Sequence, residues 1–428
     1  MSFKTLLRAA TVALMIVFVT FMLIPGARAA SKFQILHNFT EGDDGGEPHA
    51  GLIFDSAGNL YGTTFYGGTY NQSCPNGDHR CGAVFKLTPN PDGSWTETVL
   101  FSPSNFYDFP NSLTFDSSGN LYGTLCCGAL NGAVFTLIPN LDGTWTESDL
   151  YGFGGGEDGM FPSTALTIDT AGSLYGATYF GGNGGCDRNW GCGTVYKLTA
   201  NGNGGWTENV LYRFSGGEDG GYPGNFPTNP TSGKLVFDAA GNLYGTTSVG
   251  GAHGYGVVFQ LTPQPDGTWA ETVLHSFTGG KDGTSPLTQL VSDNTGNLYG
   301  ADSGGGANGC GVLFELKNVP GNGWKGVVLH SFKGQPACNP VGALAFSAAG
   351  DLYGVTLNSP DCSYYQHGCG TVFKFDSGTR SFRVLHVFTG DDGATPDGGL
   401  IVDGAGNLFG TTIFGGTGYS GTAFEIMP

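Results

Sequence analysis

Short runs of apolar and β-branched residues alternate with glycine-rich polar segments along the chain after residue 30. Four run types follow one another in a fixed order, first as Leu52–Asp55, Leu60–Thr64, Gly82–Thr88 and Trp95–Phe101. Runs this short, bounded by Gly, Asn, Asp or Pro, predict β-strands joined by tight turns. No 3.6-residue apolar period is found beyond residue 30, so we expect no helix there.

The second run carries the sequence Gly-Asn-Leu-Tyr-Gly, which recurs with small changes along the whole chain. Its copies begin at Gly58, Gly119, Gly172, Gly241, Gly296, Gly350 and Gly406. A repeat of this length is a complete supersecondary unit, and four antiparallel strands per unit make one propeller blade. The sequence therefore predicts an all-β, seven-bladed β-propeller, in which the repeated motif builds the blades and is not itself a site.

The two ends of the repeat region complement each other. The last unit has three strands before Pro428, whereas residues 33–39 match fourth strands such as residues 273–277. We therefore expect the strand at residues 33–39 to complete the last blade, which removes an open sheet edge. Residues 31–428 are predicted to form this single propeller domain.

Residues 1–30 have the layout of a secretory signal peptide. Lys4 and Arg8 precede an apolar stretch at residues 9–25, and Ala27-Arg28-Ala29 offers a cleavage site. An uncleaved anchor is the alternative. No later segment reaches the roughly 20 apolar residues that span a bilayer. We expect a secreted protein, extracellular or periplasmic, without membrane contact after removal of the signal.

Composition and charge narrow the range of expected binding partners. The chain has 77 glycines, 12% charged and 13% aromatic residues, which fits many tight turns between strands. Residues 1–30 hold three of the 17 basic residues and none of the 35 acidic ones, so the remainder carries a formal charge of −21. Such a surface repels nucleic acid. We expect a monomer that meets neutral ligands, such as an extracellular glycan or a protein, and no nucleic acid.

The ten cysteines are expected to form disulfides, because exported chains fold in an oxidising compartment. Spacing favours local pairs in three equivalent loops and one longer pair, while Cys126 and Cys127 form either a vicinal bond or bonds to other partners. The predicted pairs are Cys74–Cys81, Cys186–Cys192, Cys362–Cys369 and Cys310–Cys338. Zinc is the alternative, but none of these spacings is Cys-x-x-Cys.

The pattern Asp-Ser-Ala-Gly-Asn-Leu-Tyr-Gly-Thr-Thr, followed by Gly-Gly and Gly-x-Val-Phe-Lys-Leu, resembles the GloVer tandem repeat of exported bacterial proteins. The resemblance covers residues 33–428. It implies an exported repeat protein without an established activity. Many relatives carry a C-terminal sorting tail, whereas this sequence stops at its last strand, which favours a free protein.

Loop length and variety predict where a site would lie. We call the side of the ring that carries the connections between second and third strands, and those from each fourth strand to the next blade, the loop face. Residues 69–81, 183–192, 215–233 and 358–369 there depart from the repeat. Because binding residues tend to lie on variable loops of a rigid scaffold, we expect any site on this face.

Two groups of loop-face residues are candidate ligand-binding residues. The first is the set of aromatic side chains in irregular loops, which could stack on sugar rings or instead pack as lids: Trp190, Tyr222, Tyr364 and Tyr365, with Tyr70 and Phe226 as further rings. The second is a set of blade-connection aspartates, Asp158, Asp219, Asp282 and Asp392, joined by Asp44. A carboxylate ring at the channel mouth could attract Ca²⁺ or a polyhydroxylated ligand. Alternatively, each aspartate caps its own turn.

The histidines divide into two groups. His37, His275, His330 and His386 share one fourth-strand position with Tyr151 and Tyr212, and exchange with tyrosine favours a packing role. His49, His79, His253 and His367 fall in loop-face connections of different blades, where isolated, solvated side chains are expected. No catalytic residue, metal ligand or cofactor is assigned. The sequence has no Asp-x-Asp-x-Asp-Gly calcium loop, and no Gly-x-Ser-x-Gly elbow before a helix.

Three functions are compatible with this sequence. The first is a secreted, non-catalytic module that binds polysaccharide or cell-surface glycan through loop-face residues. The second is a carbohydrate-active hydrolase or lyase that uses carboxylates at the channel mouth. The third is a structural or protein-interaction platform. The fold does not decide among them, and we favour the first.

Overall fold

The computed structural model describes residues 31–68, 81–103, 109–126, 131–182, 185–186, 190–224, 233–286, 288–359 and 369–428. Over these residues the protein is all-β, and seven antiparallel sheets form the blades of a propeller. The predicted fold class is confirmed. Within each sheet the strands follow chain order, so the first and fourth strands of a blade lie at opposite edges.

The strands follow the order that the repeat predicts. The closing strand is β1 (Lys32–Asn38). Blade 1 contains β2 (Ile53–Phe54), β3 (Leu60–Thr64), β4 (Ala83–Pro89) and β5 (Trp95–Phe101). Blade 2 contains β6 (Phe109–Phe115), β7 (Leu121–Cys126), β8 (Ala133–Pro139) and β9 (Trp145–Gly152). Blade 3 contains β10 (Met160–Pro162), β11 (Thr164–Ala165), β12 (Thr167–Ile168), β13 (Leu174–Phe180), β14 (Thr194–Ala200) and β15 (Trp206–Arg213).

The remaining blades continue the series. Blade 4 contains β16 (Gly221–Pro223), β17 (Gly233–Lys234), β18 (Val236–Phe237), β19 (Leu243–Val249), β20 (Val257–Pro263) and β21 (Trp269–Ser276). Blade 5 contains β22 (Val291–Ser292), β23 (Leu298–Asp302), β24 (Val312–Val319) and β25 (Gly323–Ser331). Blade 6 contains β26 (Cys338–Phe346), β27 (Leu352–Asn358), β28 (Thr371–Asp376) and β29 (Ser381–Val387). Blade 7 contains β30 (Leu400–Val402), β31 (Leu408–Thr412) and β32 (Thr422–Met427).

The N-terminal strand closes the ring. β1 pairs antiparallel with β32, from Lys32 opposite Met427 to Asn38 opposite Thr422, and so supplies the fourth strand of blade 7. Phe33 of β1 also stacks on His386 of blade 6 at 4.0 Å between ring centroids. The predicted closure is confirmed, with the strand beginning and ending one residue earlier than expected.

The repeated motif forms the hairpin between the first and second strands. In blade 1 the carboxylate of Asp55 accepts hydrogen bonds from the backbone N–H groups of Ala57 and Asn59, from Asn59 Nδ2 at 2.6 Å and from the Tyr61 hydroxyl at 3.0 Å. The same contacts recur at Asp116, Asp238 and Asp293. The Asn and Tyr of the motif therefore hold the turn, as a structural role requires.

Apolar side chains pack between adjacent blades. One cluster joins Leu36 and Phe39, from the end of the closing strand, to Leu52, Phe85 and Leu87 of blade 1. Phe39 and Phe85 are fully buried. Hydrophobic burial of this kind is the main favourable term in folding, so each blade depends on its neighbour for stability.

A backbone contact also locks each blade to the next. The Pro that begins a blade packs on the Gly that precedes the third strand of the previous blade, as Pro223 packs on Gly193. Tyr222, just before that proline, has φ +56° and donates its N–H to the carbonyl of Cys192 at 2.7 Å. Equivalent bonds start at Glu47, Phe161, Ser285, Asn339 and Thr395. We call this contact the blade latch.

Two predicted disulfides are confirmed. Cys186–Cys192 closes a short loop in blade 3, and Cys310–Cys338 joins the second-to-third-strand connection of blade 5 to β26 of blade 6. Cys81, Cys126 and Cys369 are also disulfide-bonded. Their predicted partners Cys74 and Cys362, together with Cys127, lie outside the described residues. Among the described residues, no helix is long and apolar enough to cross a membrane.

The blade latch predicts a difference between two glycines that both have positive φ. Gly193→Ala places a Cβ 2.4 Å from the carbonyl oxygen of Thr178 and 2.5 Å from Cδ of Pro223, whereas Gly202→Ala meets no atom within 4 Å. We expect Gly202→Ala to lower the free energy of unfolding by about 1 kcal/mol, from backbone strain alone. Gly193→Ala should lower it by roughly 3 kcal/mol or more, because overpacking adds to the strain. Urea denaturation measures both, and equal losses would contradict the latch.

Candidate functional site

Five aromatic side chains from blades 3 and 4 contact one another on the loop face. This aromatic cluster consists of Phe161, Tyr179, Phe180, Trp190 and Tyr222. Tyr179 and Tyr222 stack at 4.8 Å, while Phe180 meets the edges of Trp190 at 5.2 Å and Tyr222 at 5.4 Å. Trp190 is 49% exposed, and the other four side chains are half-buried. The cluster therefore exposes the Trp190 ring to solvent, and the other four rings pack beneath it.

The backbone explains why these rings lie together. Phe161 and Tyr222 occupy the latch position before a proline, where positive φ and an N–H bond to the preceding blade fix the chain. Trp190 accepts a hydrogen bond at its carbonyl from Gly181 N–H at 2.7 Å, and its loop is closed by the Cys186–Cys192 disulfide. Trp190 and Tyr222, both predicted as ligand-binding residues, are thus brought into one cluster.

Tyr364 and Tyr365, the other predicted aromatic binding residues, lie outside the described residues, as do Tyr70 and Phe226. Rings also occupy the equivalent positions of blade 1, where Phe65 stacks on Phe109 at 3.8 Å. Phe109 is only 4% exposed, so that pair is largely covered.

Each predicted connection aspartate caps its own turn. The carboxylate accepts one hydrogen bond from a backbone N–H three or four residues earlier and another from the fourth-strand ring six or seven residues earlier. These donors are Gly154 and Tyr151 to Asp158, Ser215 and Tyr212 to Asp219, Thr278 and His275 to Asp282, and Thr389 and His386 to Asp392. Asp44 receives the same pair from Thr40 and His37. These contacts explain why His and Tyr exchange at this fourth-strand position, because either ring can donate a hydrogen bond to the aspartate of the blade connection that follows it.

The position of these aspartates favours turn capping, the second of the two alternatives, over a carboxylate ring at the channel mouth. Their ring partners stand on fourth strands, at the outer edge of each sheet, whereas the first strands line the channel. Burial raises the pKa of Asp44 and Asp392, but it is outweighed by the combined hydrogen bonds and charge of the neighbouring histidine and the hydrogen bonds of the neighbouring threonine, so both pKa values are lowered. The binding role of the four predicted aspartates stays a prediction.

Three glutamates on fourth strands lie in the boundaries between blades. Glu97, Glu208 and Glu271 each have a buried Oε1 without a hydrogen-bond partner. Burial is the main cause that raises the pKa of each to about 7, and the nearby Asp158 and Asp219 contribute to the rise at Glu208 and Glu271. The arrangement recurs at three boundaries between blades, on the outer strands. This repetition indicates a role in blade packing and not one catalytic pair.

His49 was expected to be isolated and solvated, and this expectation was wrong. Its side chain is 12% exposed, and Nδ1 lies 3.5 Å from Oδ2 of Asp397, which is 1% exposed. Burial alone would lower the pKa of His49, but the carboxylates of Asp397 and Glu47 outweigh burial and raise it to about 9. His49 is therefore an imidazolium at neutral pH, which makes it a poor general base. His253 is exposed as expected, and His79 and His367 lie outside the described residues.

First strands from all seven blades line a central cavity of about 340 Å³. Its lining includes Ser112, Lys234 and Gln289 among mainly apolar and small residues, and the described lining contains no carboxylate. Burial lowers the pKa of Lys234. Sequence reasoning missed these residues, although a signal existed. The residue before the buried leucine of the first strand is small in five blades, and only Lys234 and Gln289 depart from that pattern.

No group of three or more His, Cys, Asp or Glu side chains that could hold a metal ion occurs in the described part of the chain. The carboxylates of the blade-connection aspartates are already engaged in turns or in ion pairs with histidine. We therefore derive no metal chemistry from the described residues.

A family model described as the Gloeobacter/Verrucomicrobia repeat matches residues 21–236 and 229–428. The chain belongs to this repeat family. The match confirms the resemblance inferred from the Gly-Asn-Leu-Tyr-Gly units. No curated protein is significantly similar in sequence.

Solved structures share the fold at low identity. A fungal alcohol oxidase of the AA5 family, in complex with copper, is 14% identical over 93% of this chain and 76% of its own, with a TM-score of 0.54. The extracellular domain of a one-component system from B. thetaiotaomicron is 12% identical over 92% of this chain and 39% of its own, with a TM-score of 0.51. A gluconolactonase from Xanthomonas campestris is 13% identical over 76% of this chain and 86% of its own, with a TM-score of 0.40. The first two likenesses show the propeller fold alone.

The three half-buried glutamates, Glu97, Glu208 and Glu271, predict a pH dependence of stability. Their pKa rises from 4.5 in the unfolded chain to about 7 on folding, so their stabilising contribution is complete below pH 4.5 and is lost as the pH rises to about 7. We expect the melting temperature to fall between pH 5 and pH 8. The triple variant Glu97→Gln, Glu208→Gln, Glu271→Gln should flatten this fall, since Gln stays neutral. Exposed Glu41→Gln and Glu218→Gln should leave it unchanged, and an unaltered slope in the triple variant would refute the assignment.

Proposed function

We propose that the protein is an exported, non-catalytic binding module that holds a neutral carbohydrate on the aromatic cluster of its loop face. The observation that carries this proposal is the half-exposed Trp190 ring, which stands on a packed base of four other aromatic side chains. Aromatic rings supply large apolar contact area at fixed geometry, and the apolar faces of sugars can stack on them.

Charge supports a neutral ligand. The formal charge of the chain is −18, and Glu157 and Glu218 lie exposed in the blade connections beside the cluster. An anionic polymer would be repelled at this surface, whereas hydroxyl groups of a neutral glycan can accept or donate hydrogen bonds there. The two disulfides between described cysteines support export, because such bonds persist in oxidising compartments.

The hydrolase alternative has weaker support. A glycosidase needs two carboxylates facing one substrate bond. The described cavity lining contains no carboxylate, and the acids with raised pKa, such as Glu97 and Glu208, repeat between blades at the outer strands. Repetition of one arrangement in several blades fits a structural task better than one active site.

The proposal predicts that the full chain binds at least one neutral polysaccharide on a glycan array, with affinity then measured by calorimetry. Trp190→Ala should weaken this binding at least tenfold, roughly 1.4 kcal/mol, because the exposed stacking surface is lost. Tyr222→Ala should also weaken it. The matched control is Tyr419→Ala, which removes a 63% exposed ring from the loop face of blade 7 and should leave affinity unchanged.

Absence of binding across the array would overturn the proposal, as would equal affinities of wild type and Trp190→Ala. Folding of each variant is checked by its melting temperature. Since Trp190 is half-exposed, its removal should change that temperature little. A retained fold with lost binding separates ligand contact from structural support.

A further inference from the structure

The central channel is built from one repeated position. In each first strand, the residue before the buried leucine turns toward the channel, and the seven residues at this position are Gly51, Ser112, Ala165, Lys234, Gln289, Ala343 and Gly399. All except Gly399 contact the 340 Å³ cavity, and Gly398 represents blade 7 in its lining. A cavity of this volume lies at the small end of the range of about 300–1,000 Å³ found for ligand pockets.

The composition of this ring is lopsided. Small side chains in blades 1, 2, 3, 6 and 7 leave space, while the adjacent blades 4 and 5 supply the long polar side chains Lys234 and Gln289. A ring shaped only for packing would be expected to repeat the small residue. Because Lys234 and Gln289 replace the small residue in two adjacent blades, a cation and an amide lie on the same wall of an otherwise open channel.

Lys234 has no counter-charge in the described residues. It enters no ion pair, and burial is the single cause that shifts its pKa, in the lowering direction. β17, which carries Lys234, is held by a parallel pairing in which Ala165 lies opposite Lys234. The Lys234 side chain is half-buried and lines the cavity, so an anion that enters from outside the chain can pair with its ammonium group.

Ser112 supplies an independent observation. It is 5% exposed, it lines the same cavity, and its hydroxyl is buried without a hydrogen-bond partner. Oδ1 of its neighbour Asn111 is also unpartnered, although Asn111 Nδ2 donates to the carbonyl of Pro162 at 3.3 Å. Buried polar atoms are normally paired, so the Ser112 hydroxyl lacks a hydrogen-bond partner that a guest can supply once this side chain turns into the cavity.

We propose that the central channel binds a compact hydroxylated carboxylate, such as a monomeric sugar acid. The Lys234 ammonium pairs with the carboxylate, while the Gln289 amide and the Ser112 hydroxyl bond to the ligand's hydroxyl groups. This site is separate from the aromatic cluster and does not depend on it.

Charge selects a monoanion of this kind. Lys234 is the one cation in the described cavity lining, and it offers a point charge without the bidentate geometry of arginine. A phosphate group carries up to two charges and usually draws on several cationic donors. The strongly acidic chain further disfavours polyanions. The Gln289 amide and the Ser112 hydroxyl are the groups that would bond to hydroxyl groups of the ligand, which is why we expect a hydroxylated carboxylate.

Calorimetry on the full chain with D-galacturonate, D-galactose and acetate tests the proposal. We expect galacturonate to bind, and galactose and acetate to bind at least tenfold more weakly, because each lacks one half of the recognised chemistry. Lys234→Met should weaken galacturonate binding at least tenfold and, by removing an unpaired half-buried charge, should not lower the melting temperature of the unliganded protein. Ser112→Ala should weaken binding several-fold without loss of fold.

Lys325→Met is the matched control, because Lys325 is exposed on the outermost strand of blade 5 and should leave binding unchanged. Trp190→Ala should also retain galacturonate binding, so failure at the aromatic cluster and failure in the channel are distinguishable. No binding of galacturonate to wild type, equal binding to Lys234→Met, or equally tight binding of acetate would each overturn the proposal.

Discussion

The blade latch is the contact on which the ring depends. A sheet of four short strands cannot bury both of its faces alone, so each blade needs a fixed position on the next. The latch supplies it through an N–H to carbonyl bond, such as the 2.8 Å bond from Thr395 to Cys369, and a proline seated on a glycine that has no room for a Cβ. Because the bond and the close approach both come from the backbone, side chains at the residue before the proline are free to vary. Tyr222, Ser285 and Asn339 show that freedom.

This freedom divides the sequence into two classes of position. Residues that repeat in most blades hold hairpins and latches, as Asp55 and Tyr61 do through their 3.0 Å hydrogen bond. Residues that vary on the same backbone can acquire a separate role at no cost to the ring. The aromatic cluster arises when variable latch positions carry rings, and the polar wall of the channel arises when variable first-strand positions carry Lys234 and Gln289. Both candidate sites thus come from one structural rule.

The sequence predicted the features that repeat along the chain, but few of the contacts between residues that are distant in the chain. Seven units, four strands in each and closure by the N-terminal strand follow from spacing and strand type alone, because local patterns determine them. Two members of the aromatic cluster, Trp190 and Tyr222, could be selected because they interrupt glycine-rich loops. By contrast, the pair of His49 and Asp397 joins residues near opposite ends of the chain, and it becomes visible only when blade 7 meets blade 1.

The sequence could not show how far each side chain lies from the central axis of the propeller. The aspartates of the blade connections looked equally suited to the channel mouth and to the rim, and only the ring donors on fourth strands, such as Tyr151 and His386, place them outward. Lys234 shows the reverse case, since a lysine beside an apolar strand would ordinarily be taken for a solvated edge residue. The first strand lines the channel, so the same side chain becomes a half-buried cation at the centre of an acidic protein. The radial position of a departure from the repeat therefore sets the ligand chemistry that we propose for it, which is apolar stacking at the loops and charge pairing within the channel.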